Sequence, residues 1–135
     1  YKDFHNLRAI HQESATLRTP AAGHKLKAPT MVLIGKHTAS AAEDFLIMAD
    51  NIPHMLLVGE PTHGSTGQPY YFDLPGGGRA RVSTKHDTYP DGREYIGVGI
   101  QPDVLVRPSL TNIRRGDDPV LSEALRQLAV PLPVY

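Results

Sequence analysis

The stretch "MVLIGKHTASAAEDFLIMADN", residues 31–51, joins an apolar run to a polar turn and then to an amphipathic segment. With Thr30 in front, TMVLI closes on Gly35, the pattern of a strand buried on both faces. From Ser40 onward, Ala41, Phe45, Met48 and Ala49 recur at helical spacing, and Leu46 and Ile47 widen the stripe. Glu43 and Asp44 fall in the first turn, where the helix dipole favours negative charge, and Asn51 and Pro53 end the helix. HMLLVG, residues 54–59, reads as a second buried strand. Strand, helix and strand make a βαβ unit, with parallel strands and a right-handed crossover.

Downstream the pattern turns more β-like. QPYYFDL (68–74) and RARVSTKH (79–86) flank PGGG (75–78), a hairpin signal. No helix start follows that glycine run to supply the donors a phosphate would need, so it reads as a hairpin tip. Pro90-Asp91-Gly92 is a tight turn, and GIQPDVLV (99–106) ends in a short strand. In DPVLSEALRQLA, Asp118 is the N-cap and Pro119 the first helical residue, with Leu121, Leu125 and Leu128 on one face. Upstream, residues 1–29 read as a peripheral helix, to about Leu17, followed by a connector marked by Thr-Pro, Ala-Ala-Gly and Lys-Ala-Pro. Residues 30–135 form the compact part. The expected class is α/β.

Composition narrows the function classes. The chain has 135 residues, 40% of them apolar, which suits one domain with a real core. Its 14 basic and 14 acidic side chains balance, which argues against nucleic acid or an anionic membrane as the main partner. There is no cysteine, which excludes disulfides, thiolate metal sites and a cysteine nucleophile. No apolar run reaches the roughly 18 residues of a membrane span. The histidines are scattered without metal-ligand spacing, so no metal is expected. A chain opening on Tyr1 reads as a piece of a longer protein.

The serine at the strand-to-helix corner raises the functional question. The first N–H groups of a helix have no partner within it and converge on one spot. A hydroxyl placed there could attack a carbonyl, with the Ala41 amide meeting the developing oxyanion. Small residues at 39, 41 and 42 leave room for a substrate chain. A plain structural role competes: Ser40 three residues before Glu43 is also a capping box.

HTASAAEDF (37–45), VGEPTHGSTGQ (58–68) and GVGIQPDVLV (97–106), in that order and spacing, resemble the S41 peptidase family. That family includes the C-terminal processing proteases, the tricorn core and the retinoid-binding repeats. The resemblance implies the C-terminal part of a catalytic core related to the ClpP/crotonase spiral of ββα units. It puts the nucleophile of a serine peptidase on Ser40 and implies a polypeptide substrate and no cofactor. The lysine base of the processing proteases would fall on position 65, which is Ser65 here. That departure resembles the tricorn-like branch, whose histidine base comes from upstream. Without such a base this piece alone is expected to be inactive. His63, in the loop the family brings beside the serine, and Glu94, two positions from the slot of the tricorn-like relay acid, are further candidates. Gly64, Ser65 and Gly67 would form the substrate loop. The family's bacterial members imply a periplasmic or extracellular parent. The retinoid-binding repeats also lack the lysine and imply an alternative, a small-molecule or lipid binder, with Tyr70, Tyr71 and Phe72 as cavity lining. Apolar surface left by the missing half of the core implies self-association.

Overall fold

The computed structural model describes residues 27–65 and 67–129. The expected helix before Leu17 lies outside them. The βαβ unit is present: strand β1 (Thr30–Ile34), helix α1 (Ala41–Ala49) and strand β2 (Met55–Gly59), with β1 and β2 parallel and Thr30 opposite Met55. Strand β3 (Pro69–Asp73) pairs antiparallel with β4 (Arg79–Ser83) as a separate hairpin. The two-residue strand β5 (Val104–Leu105) joins the parallel sheet beside β2, giving the order β1-β2-β5.

Two helices close the described chain. α2 (Leu110–Arg115) was not legible as a helix, because it is short and lacks a buried face; Leu110 and Ile113 are exposed. Its ends are specified locally. Ser109 Oγ accepts Asn112 N–H at 3.1 Å, and Gly116 ends it in the left-handed region. α3 (Pro119–Ala129) starts as expected, with Asp118 Oδ1 accepting Leu121 N–H at 2.9 Å. It packs against β1 and β2 and buries Ala124, while Leu121, Leu125 and Leu128 stay exposed.

The core lies between α1 and the sheet. Ile34, Leu46, Tyr89, Tyr95 and Ile100 form it, with Val32, Ile47, Leu57 and Ile96 packed around them. Strand alternation puts Val32 and Ile34 on the α1 side and leaves Leu33 on the other, where it is 44% exposed. So β1, expected to be buried on both faces, buries Ile34 fully and Val32 partly on one face and leaves Leu33 exposed on the other. Burying each large core side chain stabilises the fold by roughly 1.5–3 kcal/mol.

One polar contact extends the sheet. β5 is too short to reach Leu57, and Asp103 Oδ2 accepts the Leu57 N–H at 2.7 Å. The aspartate of the QPDV segment thus replaces a missing strand bond.

Candidate active site

The corner between β1 and α1 is built by short local bonds. Thr38 N–H donates to Gly35 O at 2.8 Å, and Gly35 N–H donates back to Thr38 Oγ1 at 3.1 Å. The chain then passes through Ser40 at φ 56°, ψ −123°, and enters α1. A non-glycine residue in that region is strained, by about 1–3 kcal/mol, and persists only where its surroundings hold it. Ser40 is exposed.

Both halves of the capping box approach, but only one meets hydrogen-bond geometry. Glu43 Oε2 accepts the Ser40 N–H at 3.0 Å, whereas the Ser40 hydroxyl makes no cap bond to the helix. The carbonyl of Ser40 accepts Glu43 N–H at 2.7 Å and Asp44 N–H at 3.1 Å. Ala42 N–H donates to Ala39 O at 3.3 Å, and among the described residues no acceptor takes the Ala41 N–H. The corner therefore presents an exposed hydroxyl beside an available main-chain donor.

A second loop holds this corner from the side. β2 ends at Gly59, where a Cβ would stand 1.9 Å from Ile34 O, so only glycine lets β2 pass so close to β1. The chain then runs back along the corner. His63 N–H donates to Thr38 O at 2.9 Å, and Ser40 N–H reaches Ser65 O at 3.2 Å.

Glu43 ties loop and corner together. It is fully buried. Its Oε1 accepts Thr62 Oγ1–H at 2.5 Å and Gly64 N–H at 2.7 Å. Its Oε2 accepts Ser65 N–H at 2.9 Å besides Ser40 N–H, with Ser65 Oγ at 3.4 Å. Burial pushes its carboxyl up, but the bonds from Thr62, Ser65, Gly64 and Ser40 outweigh this and hold it below the ordinary 4.5. The carboxylate is thus kept ionised by donors from two segments.

The other expected site residues scatter. His63 is held by its backbone beside Thr38, with its side chain exposed. Ser65 is half-buried next to the corner. Gly64 faces inward: a Cβ there would stand 2.7–2.9 Å from backbone of Tyr95, Gly97 and Gly99. Gly67 also faces protein, with its virtual Cβ 2.7 Å from Ser83. Glu94 pairs with His86 at 3.0 Å and lines a cavity of about 600 Å³ with Asp50, Pro53 and Met55. That cavity lies at the C-terminal end of α1, whereas Ser40 stands at the N-terminal end. Lys85 pairs with Asp87 at 2.8 Å, and Lys36 is exposed in the turn after β1.

Two residues central to this geometry went unread as site residues. Glu43, Leu46 and Ala49 are the buried positions of α1, at spacings of three. A carboxylate in register with the buried stripe was the signal. Thr62 carries no comparable sign, because its partners lie far off in sequence.

Known proteins share this fold. The Peptidase family S41 pattern matches residues 4–106, so it begins inside the stretch read as peripheral. No curated protein matches the chain. Among solved structures, a Parabacteroides merdae protein provisionally described as a peptidase superposes with a TM-score of 0.70 at 26% identity. The match covers 82% of this chain and 36% of that one. The photosystem II D1 C-terminal processing protease gives 0.50 at 26% identity, over 76% of this chain and 25% of that one. Mature CPAF, at 19% identity, shares the fold with a TM-score of 0.62, over 73% of this chain and 19% of CPAF. The chain thus spans about a third or less of the structures it resembles. With a family match over most of its length and an α/β core built on parallel strands, the chain belongs to the S41 peptidase family.

Proposed function

We propose that the protein of which this chain forms part is a serine endopeptidase, with Ser40 as nucleophile. The observation that carries this reading is the corner itself. Ser40 is exposed, is held at positive φ, makes no cap bond with its hydroxyl and stands next to the Ala41 N–H. An ordinary capping serine would adopt extended backbone and use its oxygen on the helix. In the proposed reaction the Ser40 hydroxyl attacks the substrate carbonyl and the Ala41 amide stabilises the oxyanion. The Ser40 amide does not serve, because Glu43 and Ser65 occupy it.

The base is supplied from elsewhere. Ser65 stands where the lysine branch of the family has its base, and a hydroxyl cannot accept a proton at neutral pH. Glu43 is buried and saturated by donors, so it positions groups rather than taking a proton. An upstream histidine within about 3 Å of the Ser40 oxygen completes the proposed site. This chain alone is then inactive or nearly so. The binder alternative requires an enclosed apolar cavity lined by Tyr70, Tyr71 and Phe72. All three are instead exposed on the β3–β4 hairpin, so no observation favours it.

The test is labelling of the full-length protein with a fluorophosphonate. The expected result is a single labelled site that disappears in Ser40→Ala, with no labelling of residues 1–135 alone. A folded full-length protein that stays unlabelled would reject the nucleophile reading.

A further inference from the structure

We infer that Thr62 is a positioning residue of the proposed reaction, transmitting the placement of the 95–100 loop to the Ser40 corner through Glu43. The inference rests on the reading of Ser40 as nucleophile and adds to it.

The path is a continuous set of bonds. Ile100 N–H donates to Thr62 Oγ1 at 2.7 Å, and the same hydroxyl donates its one proton to Glu43 Oε1 at 2.5 Å. Thr62 N–H donates to Ile100 O at 3.1 Å, so residue 62 and residue 100 are tied in both directions. Gly97 N–H donates to Gly64 O at 2.8 Å, a second tie between the same loops. The loops touch backbone to backbone: a Cβ on Gly99 would stand 2.2 Å from Thr62 O. Thr62, Glu43 and Ile100 are buried, so water cannot easily replace these bonds.

The carboxylate turns this tie into positioning. It is a rigid plane with two oxygens. Oε1 is fixed by Thr62 and Gly64, and that orientation aims Oε2 at the amides of Ser40 and Ser65. Ser40 sits in a strained conformation, so its placement depends on what holds it. Hydroxyl is required at position 62 because one group must donate to a carboxylate and accept from an amide. Valine has the same shape and does neither.

The experiment compares wild type, Thr62→Val and Thr62→Ser in the full-length protein. Fluorophosphonate labelling gives the limiting rate and the half-saturating probe concentration. Ser40 amide hydrogen exchange is followed in the same samples. Thr62→Val is expected to lower the limiting rate by about tenfold to a hundredfold, the scale of an ångström-level misplacement. The half-saturating concentration stays unchanged, and Ser40 exchange becomes faster. Thr62→Ser keeps both bonds and restores the rate to within about threefold of wild type. Should Thr62→Val not fold, Thr62→Ala removes the same hydroxyl from a smaller side chain and carries the same expectation.

A role confined to stability would lower the melting temperature and leave the limiting rate per folded molecule untouched, which overturns the inference. Equal rates for valine and wild type overturn it as well. A wild type that is folded and unlabelled rejects the nucleophile itself. In that case unchanged Ser40 exchange in Thr62→Val separately overturns the mechanical link.

Discussion

Replacing Ser40 tests the strained corner without any substrate. Its backbone at φ 56°, ψ −123° costs about 1–3 kcal/mol for a residue with a Cβ. Glycine adopts that conformation freely, but its extra freedom in the unfolded chain costs about 0.5–1 kcal/mol. The bonds of the Ser40 N–H to Glu43 and to Ser65 O are main-chain bonds and survive the change. Ser40→Gly should therefore stabilise the protein by about 1 kcal/mol, or raise its melting temperature by about 4 °C for a chain of this size. Ser40→Ala keeps the Cβ and the strain. It loses a hydroxyl that makes no cap bond, so its stability should stay within about 0.5 kcal/mol of wild type. An ordinary capping serine would lose about 1 kcal/mol on the same change. Urea denaturation followed by circular dichroism measures all three proteins. The reasoning is refuted if Ser40→Gly is less stable than wild type, or if Ser40→Ala loses as much as a cap.

Glu43→Gln removes a carboxylate that takes bonds from Thr62, Gly64, Ser65 and Ser40, and should cost about 2–4 kcal/mol at neutral pH. Because the folded state holds this carboxyl below 4.5, the unfolded chain binds its proton first as pH falls. The contribution of the charge is thus complete above about pH 4.5 and is lost as pH drops through the lower folded value. In a urea-stability series against pH, the gap between wild type and Glu43→Gln should narrow only below that point; a gap that narrows near neutrality contradicts the assignment. Two glycines offer a paired comparison. Gly92 has φ +87° and open space around a Cβ, so Gly92→Ala should cost only about 1–2 kcal/mol. Gly99 has φ +80° and a virtual Cβ 2.2 Å from Thr62 O, so Gly99→Ala adds a backbone clash and should lose clearly more. Equal melting temperatures for the two variants would mean that the 62–64 and 95–100 loops are not packed as described.

Much of the fold was legible because its signals are local. The apolar run of β1, the helical stripe after Ser40 and the run of β2 each declare their element within a few residues. The hairpin followed from PGGG between two β-like runs, and the α3 start from Asp118-Pro119. α2 escaped because its six residues bury nothing and its caps, Ser109 and Gly116, are the main local evidence for it. The candidate site was legible only in part. The corner serine could be placed from strand, turn and helix alone. The distance in space between that corner and Glu94 could not, because Glu94 follows a hairpin and a turn whose packing decides where it lands.

The amino-acid sequence by itself determined the βαβ unit, the serine at its corner and the membership signalled by three ordered motifs. Periodicity and turn chemistry act between neighbours, so they can be read along the chain. Tertiary structure decided what surrounds the serine. Glu43 meets Thr62, Gly64 and Ser65 across separations of 19, 21 and 22 residues, and Thr62 meets Ile100 across 38. Only folding brings those donors to one buried carboxylate, and their geometry, not their order, makes the corner rigid.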